Sequence, residues 1–546
     1  MPHRFKPEEF KRLFPLFRRA ENQGLVYLDS AATSQRPECV IQAVTDFYSA
    51  SNANTHRSSH RLARAATAMV ERTRIASAEF LGASEASEIV FSRGTTEALN
   101  FLASSLCSSL DPGDEILLSR AEHHANLVPW QMAAERYQLK LKFLPESLIP
   151  GSNGIPQTEN FLEYLSDKTK IVSLTAGSNA LGFSVDVASV AAQLQSMPCC
   201  LVVDGAQLAA HQSIDVKLLG CDFFVCSAHK FYGPTGVGLL YGRRELLETL
   251  PPWQGGGEMI SNVGLNASEW ANIPQRFEAG TASLSSIAGL EAALNFLSEC
   301  DREAMYDHEQ ELTQYLHSEL MKIQEIELLS RPEGNLGIAT FVPRGEVSAT
   351  DLGHGLDEQD VAVRVGHHCA QPLIDALGKG PTLRASVLAY NTRADIDALI
   401  VGLKLALGAV ASAVSNADNE LAALSIEDLR AHNDWQSRYR QLLKWGSAIQ
   451  SKPMIRTELN RVNGCEADTW LQRERRGEHY VFRLDSDSRV VRGLGALLLV
   501  LIQNKTEEEL EHLDIEGVFS SLGLKQHLSP SRSNGFYAMV KKALSF

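Results

Sequence analysis

From about residue 24 to residue 297, short and mainly apolar runs alternate with longer stretches of mixed character. The runs are Ile89-Val90-Phe91, Glu115-Ile116-Leu117-Leu118, Lys170-Ile171-Val172-Ser173-Leu174, Leu201-Val202-Val203 and Phe223-Phe224-Val225. They are too short for helices and lack polar alternation, which marks strands buried on both faces. Strands separated by helical stretches predict a mainly parallel sheet with helices on both sides, where ligands collect at the carboxyl ends of the strands. From about 298 to 407 long helical patterns surround strand candidates at 337–342 and 360–365, which reads as a smaller α+β domain. The stretch 410–423 is rich in small residues and weakly acidic, and suits a linker or a helical continuation equally. The remainder opens with an amphipathic stretch at 426–445, followed by the turn Asn463-Gly464-Cys465-Glu466, the strand-like Tyr480-Val481-Phe482-Arg483-Leu484 and an apolar helix from Val491. The predicted organisation is therefore an N-terminal segment at 1–23 packing with the small domain, a large domain at 24–297, a small domain at 298–409, a linker at 410–424 and a separate α+β module at 425–546.

Length supports that division, since 546 residues are too many for one core at roughly 100–200 residues per domain. A hydrophobic fraction of 44% and a charged fraction of 21% are those of an ordinary globular chain. With 51 basic against 66 acidic side chains the formal charge is −15, which argues against nucleic-acid binding. The start, Met1-Pro2-His3-Arg4-Phe5-Lys6-Pro7-Glu8, has no apolar core of the kind a secretory signal needs. Residues 398–414 carry Lys404 near the middle, and 493–502 fall far short of the ~20 residues of a span. No membrane association is expected, and the predicted location is cytoplasmic. Nine cysteines without CxxC spacing read as reduced thiols, and no metal site is predicted. Cys199, Cys200, Cys221 and Cys226 lie in or beside apolar runs and read as core filler.

The candidate chemistry follows the strands. Leu201-Val202-Val203-Asp204-Gly205-Ala206-Gln207 ends an apolar strand with an acid and an amide, and Cys221 to Cys226 delivers Ser227-Ala228-His229-Lys230 into the glycine-rich turn Gly233-Pro234-Thr235-Gly236-Val237-Gly238. Pyridoxal phosphate chemistry needs a lysine for a Schiff base and a carboxylate to keep the pyridine nitrogen protonated, and two strand ends of one sheet supply both. Read alone, Lys230 is a surface lysine and Asp204 a helix cap; the pair together points to the cofactor. Gly94-Thr95-Thr96-Glu97 opens a helical stretch directly after a strand, as a phosphate-binding helix N-terminus does. His123 and His124 follow the next strand. Adjacent histidines rarely aim at one ion, so a ring stacked on the pyridine is the better use of one of them.

Two cysteines stand out on loops. Cys369 lies in Arg364-Val365-Gly366-His367-His368-Cys369-Ala370-Gln371-Pro372, where histidines and an arginine favour the nucleophilic thiolate, and Cys465 lies in the turn of the last module. Bland loop cysteines and a metal site from His367, His368 and Cys369 are the competing readings. Loop thiols in two modules suggest a relay of something carried on sulfur.

These motifs resemble a known family. Tyr27-Leu28-Asp29-Ser30-Ala31-Ala32, Arg93-Gly94-Thr95-Thr96-Glu97, Glu122-His123-His124-Ala125-Asn126, Val203-Asp204-Gly205-Ala206-Gln207, Ser227-Ala228-His229-Lys230, Arg276-Phe277-Glu278-Ala279-Gly280-Thr281 and Gly366-His367-His368-Cys369 resemble the group II (SufS/CsdA type) cysteine desulfurases from about 24 to 407. Asn463-Gly464-Cys465, Trp470-Leu471, Val491-Arg492-Gly493-Leu494 and Leu528 to Gly535 resemble the SufE/CsdE sulfur acceptors. The resemblance implies a type I pyridoxal phosphate fold in a homodimer, acting on L-cysteine, with a SufE-like domain behind it. By the same resemblance, Lys230 would bind the cofactor covalently, Asp204 would face the pyridinium nitrogen, Gln207 the ring oxygen, and His123 would stack on the ring and handle protons. Thr95, Thr96, Ser227 and His229 would bind phosphate, with Thr281 reaching in from the other subunit. Arg384 would clamp the substrate carboxylate, with Asn179 and Arg364 as further substrate contacts. Cys369 would take the sulfur as a persulfide, leaving alanine, and Cys465 would accept it next for an iron–sulfur scaffold or another acceptor.

Ala228, Ala282 and the stretch Thr175-Ala176-Gly177-Ser178-Asn179 depart from the commoner family pattern without removing a catalytic group. A selenocysteine lyase uses the same groups, and a C-terminal module that only docks or regulates is a further alternative. The sequence names neither the final sulfur recipient nor the chain to which Cys369 would pass its sulfur.

Overall fold

A computed structural model describes residues 5–55, 60–144, 161–344, 347–415, 421, 424–432, 434–449, 452, 455–465, 467–476 and 478–545. The chain divides into two compact units, the first formed by Met1–Phe341 and Asp360–Leu399, the second by Val342–Gln359 and Ile400–Phe546.

The first unit is built on a seven-stranded sheet of β1 (Ile89–Ser92), β2 (Glu115–Leu118), β3 (Lys140–Phe143), β4 (Thr169–Thr175), β5 (Cys200–Asp204), β6 (Phe223–Ser227) and β7 (Gly238–Gly242), in the order β1-β7-β6-β5-β4-β2-β3. Strands β3, β2, β4, β5 and β6 are mutually parallel, and β7 runs antiparallel to both β6 and β1. The five apolar runs of the sequence are β1, β2, β4, β5 and β6, nearly all of whose residues are buried. Edge strand β3, Lys-Leu-Lys-Phe, is half exposed, and charged edges of this kind discourage pairing with other chains.

Glycines decide how closely the strand ends approach. A Cβ on Gly205, directly after Asp204, would sit 1.9 Å from the Phe224 ring, and one on Gly238 would sit 2.6 Å from Gly94 Cα. The loop after β1 therefore presses against β7, and it opens helix α1 (Thr95–Cys107), while α2 (Val128–Tyr137) follows β2.

A four-stranded sheet of β8 (Ile326–Leu328), β9 (Ile338–Pro343), β10 (Arg364–Gly366) and β11 (Thr382–Ser386) has the order β8-β9-β11-β10, with β11 antiparallel to both neighbours. Val361–Ala362 pairs in parallel with Val26–Tyr27, which ties the start of the chain to this region. Helix α3 (Arg393–Ser415) runs into the stretch expected to be a linker, of which 416–420 and 422–423 lie outside the described residues.

The second unit holds a three-stranded sheet of β12 (Thr469–Arg476), β13 (His479–Ser486) and β14 (Lys505–Thr506) with helices α4 (Trp435–Ala448), α5 (Arg489–Ile502) and α6 (Pro530–Leu544). The apolar run at 493–502 is the body of α5, buried on almost every side. Among the described residues no helix is long and apolar enough to cross a membrane. Helices α4 and α5 touch backbone to backbone: a Cβ on Gly446 would lie 2.0 Å from Arg489 O, and one on Gly493 2.2 Å from Leu442 O.

Candidate active site

A cavity of about 230 Å³ lies at the carboxyl ends of β4, β5 and β6. Its walls include Thr95, Thr96, His123, Asn179, Asp204, Gln207, Ser227, His229, Lys230, Arg364, Cys369 and Arg384, so twelve of the fourteen residues expected at a site share one chamber. Thr281 does not. It lines a separate cavity of about 420 Å³ with Arg93, Glu97 and Gln254. Cys465 belongs to the second unit.

The phosphate end is pre-assembled. The Thr95 amide donates to Ser227 Oγ at 2.8 Å, and the two hydroxyls lie 2.8 Å apart. This stitches the end of β6 to the first turn of α1, whose unpaired N–H groups favour an anion. Gly94 has φ +152°, a conformation side-chain-bearing residues rarely adopt, and a Cβ there would stand 3.2 Å from Ser227 Oγ, tighter than an ordinary contact.

At the far wall Asp204 is buried, and burial raises its pKa against the opposing pull of Lys230. Lys230 in turn is pushed down to about 8 by burial, with Asp204 acting the other way. A buried amine with a lowered pKa is a ready nucleophile and base. His123 is lowered to about 3, chiefly by burial and then by Lys230, so its ring is neutral. Its Nδ1 accepts the Ala125 amide at 3.0 Å, which places its proton on Nε2. His229 is likewise lowered to about 4 by burial. Gln207 is held by a 2.9 Å bond from Nε2 to Ala31 O.

The substrate end is organised by a residue that carried no predicted role. Asp29 accepts from Arg384 at 2.9 Å and pairs with Arg364 at 3.7 Å. Arg384 is only 1% exposed and also donates to Asn179 O at 2.7 Å, yet its Nε–H has no partner. A buried guanidinium donor left open beside a second arginine fits a carboxylate. Its pKa is lowered by burial, which Asp29 opposes.

Cys369 is exposed and follows His368, and the two have positive φ, +56° and +53° respectively. For non-glycine residues this conformation costs roughly 1–2 kcal/mol each, so other contacts must hold the loop. His368, weighed in the sequence only as a neighbour favouring the thiolate or as a metal ligand, is buried in the cavity wall and lowered to about 2 by burial and the two arginines. Its Nε2 lies 2.7 Å from Thr382 Oγ1, and its Nδ1 has no partner.

Glu122 lies under the turn that carries His123. Ser119 and Asn126 each donate to it at 2.6 Å, while burial raises its pKa to about 8. The folded chain thus holds a proton that the unfolded side chain gives up near 4.5. The associated stabilisation is fully present below 4.5 and is lost as the pH rises toward 8. Thermal melts across that window should show Glu122→Gln, neutral throughout, declining less steeply than the parent; an equal slope would mean that Glu122 is ionised in the fold.

In the second unit Cys465 is half-buried beside Gly464, at φ +97°. Its thiol donates to Gly535 O at 3.5 Å, and burial raises its pKa. Gly535 packs directly against the thiol, at ordinary van der Waals distance even for an added Cβ, 3.4 Å from the sulfur. Among the described residues no group of three or more His, Cys, Asp or Glu side chains is arranged to hold a metal ion.

Residues 26–399 match the Aminotransferase class-V family, and residues 423–545 match SufE, the Fe-S metabolism associated domain. The fold and the lysine-centred cavity define a class V aminotransferase-fold protein, and the chain belongs to that family with a SufE domain at its C-terminus. A probable cysteine desulfurase of Vibrio cholerae serotype O1 is 40% identical over 396 residues, covering 72% of this chain and 96% of that protein. A cysteine desulfurase of Klebsiella pneumoniae subsp. pneumoniae is 42% identical over 403 residues, with coverages of 73% and 98%. The crystal structure of the cysteine desulfurase CsdA from Escherichia coli superposes with a TM-score of 0.68 at 37% identity, covering 74% of this chain and all of that one. Within the class, the chain belongs to the cysteine desulfurases.

Proposed function

We propose that this chain converts L-cysteine to L-alanine with pyridoxal phosphate in the 230 Å³ cavity, and passes the sulfur from Cys369 to Cys465. The observation that carries the reading is the convergence of Lys230, Asp204 and Arg384 in one chamber with the Cys369 thiol at its wall.

The residues present fit the cofactor. The Thr95 and Ser227 hydroxyls and the first turn of α1 suit a phosphate, Asp204 suits a protonated ring nitrogen, and neutral His123 suits a stacked ring. When bound, pyridoxal phosphate supplies an electron sink that weakens the bonds at Cα and Cβ of an amino acid. Arg384, with Asn179 and Arg364 beside it, orients the carboxylate of cysteine. The Lys230 amine, in its neutral form, takes the proton from Cα. His123, with its exchangeable proton on Nε2, is the proton donor at the substrate. Cys369 Sγ bonds to the substrate sulfur as the Cβ–S bond breaks, so the chain keeps a persulfide and the released product is alanine.

The second transfer uses the thiolate of Cys465, which forms an S–S bond to the outer sulfur while the thiolate of Cys369 leaves. Burial raises the Cys465 pKa and so disfavours its thiolate at rest, where the thiol sits against Gly535 O. In the Cys465→Ser variant, mass spectrometry after turnover is expected to find the ~32 Da adduct stranded on the Cys369 peptide. Delivery to an added acceptor should fall about tenfold or more, because fusion supplies the second thiol at ~mM effective concentration. Unimpaired delivery would make the last module a docking domain.

Thr281 stands outside this chain's own cofactor cavity, which supports its serving the cavity of a second copy in a homodimer. The working thiols call for a reducing compartment, and we place the protein in the cytoplasm, feeding iron–sulfur cluster assembly or another sulfur acceptor. Residues 24–297, 298–409 and 425–546 are proposed as its three functional domains.

A further inference from the structure

Cys369 occupies a strained backbone, closed on itself by one bond from the Ala370 amide to His367 O at 2.9 Å. Gly366, His368 and Cys369 all have positive φ, and the short helix that follows, Gln371–Ala376, has no side-chain cap. Pro372 brings no N–H, so the amide of Gln371 is the donor that needs an acceptor from outside the helix. That acceptor is a histidine from another part of the chain. The Gln371 amide donates to His124 Nε2 at 3.2 Å, and the His124 amide donates to Cys369 O at 2.7 Å. The two bonds form a clasp that closes on either side of Ala370. On the other flank Asn179 Nδ2 donates to His368 O at 2.5 Å. The loop is thus fastened at three successive points to the turns that follow β2 and β4.

We propose that His124 is a positioning residue for sulfur transfer, its ring and its amide together fixing the backbone that carries Cys369. Unlike His123 and Ala125, His124 does not line the cavity, so its effect passes through the loop and not through substrate or cofactor. A strained backbone persists only where its surroundings over-determine it, and removing the His124 ring takes away the acceptor that holds the Gln371 end of the loop. The inference rests on the desulfurase reading for the use of the thiol, although the clasp itself does not.

The test compares His124→Ala, His124→Gln and His124→Phe in the cofactor-loaded full chain. Glutamine carries an amide oxygen to about the reach of Nε2 and restores an acceptor; phenylalanine fills the space without one. In the absence of cysteine, the rate at which iodoacetamide alkylates Cys369, read by peptide mass spectrometry, should shift at least threefold or so in the alanine and phenylalanine variants and return in glutamine. The Gln371 amide should lose hydrogen-exchange protection in the same two variants. Alanine formation from cysteine should drop about 10- to 100-fold, the scale of an ångström misplacement, while exchange of the substrate Cα proton with D₂O stays near the parent rate. Parent-like alkylation and amide protection in the phenylalanine variant would overturn the proposal, as would a fall in Cα exchange equal to the fall in turnover. Failure of the desulfurase reading has a different signature, namely alanine production that survives loss of Cys369 while the His124 variants still alter alkylation.

Discussion

Replacing Lys230 with alanine is expected to abolish alanine formation from cysteine, by at least ~10⁴-fold, because one side chain both anchors the cofactor and moves the Cα proton. The cofactor should remain bound through the phosphate end but be removable by dialysis in denaturant, without a covalent link to the chain. Arginine at the same position should be equally inactive. It keeps the positive charge facing Asp204, but its guanidinium cannot give up the proton that burial strips from Lys230 at about pH 8. NMR detection of alanine and the mass of the borohydride-treated chain check both variants. Residual turnover in the arginine variant above a few per cent of the parent would show that charge, and not a free amine, is what residue 230 contributes.

Cys369→Ser should be the second most damaging change. A hydroxyl is similar in size and keeps the loop, but it is a poor acceptor of sulfur, so alanine formation from L-cysteine should fall by about 10³-fold or more. Exchange of the substrate Cα proton should continue, since that step belongs to Lys230. The ~32 Da adduct should then be absent from the Cys369 peptide. The same variant offered L-selenocysteine separates the two lyase readings: rapid selenide release that ignores the serine, combined with a parent enzyme that prefers selenocysteine, would replace the desulfurase assignment.

Much of the large sheet was legible because strands buried on both faces must be almost continuously apolar, and β1, β2, β4, β5 and β6 are. Strand β3 was not, since Lys140 and Lys142 give an edge strand the look of a solvated helix face. Strand β7 escaped as well: Gly238 and Gly242 bracket it, and a glycine-rich segment reads as a turn until the close approach of Gly94 explains the glycine. The cavity residues were recognisable wherever they ended a strand or sat in a motif. Asp29, by contrast, acts on Arg384 across 355 positions of sequence, and no local pattern announces such a pairing. The roles of His124 and His368 have the same origin, in hydrogen bonds made across the fold.

What the chain's order of residues determined by itself was the inventory of chemistry. An amine, a carboxylate and phosphate donors are set at or just beyond the ends of segments whose apolarity already committed them to one sheet, and two further thiols stand on loops elsewhere. Only the tertiary structure decided how those groups behave. Folding buries Lys230 in the chamber and lowers its pKa, and it buries Glu122 beneath the His123 turn and raises its pKa. It also leaves one donor of Arg384 unsatisfied, seats Thr281 in a different cavity and clasps Cys369 to a neighbouring turn. Residue types fix what a group is able to do, whereas protonation and reach depend on desolvation and on partners hundreds of positions away, and those exist only once the chain has folded.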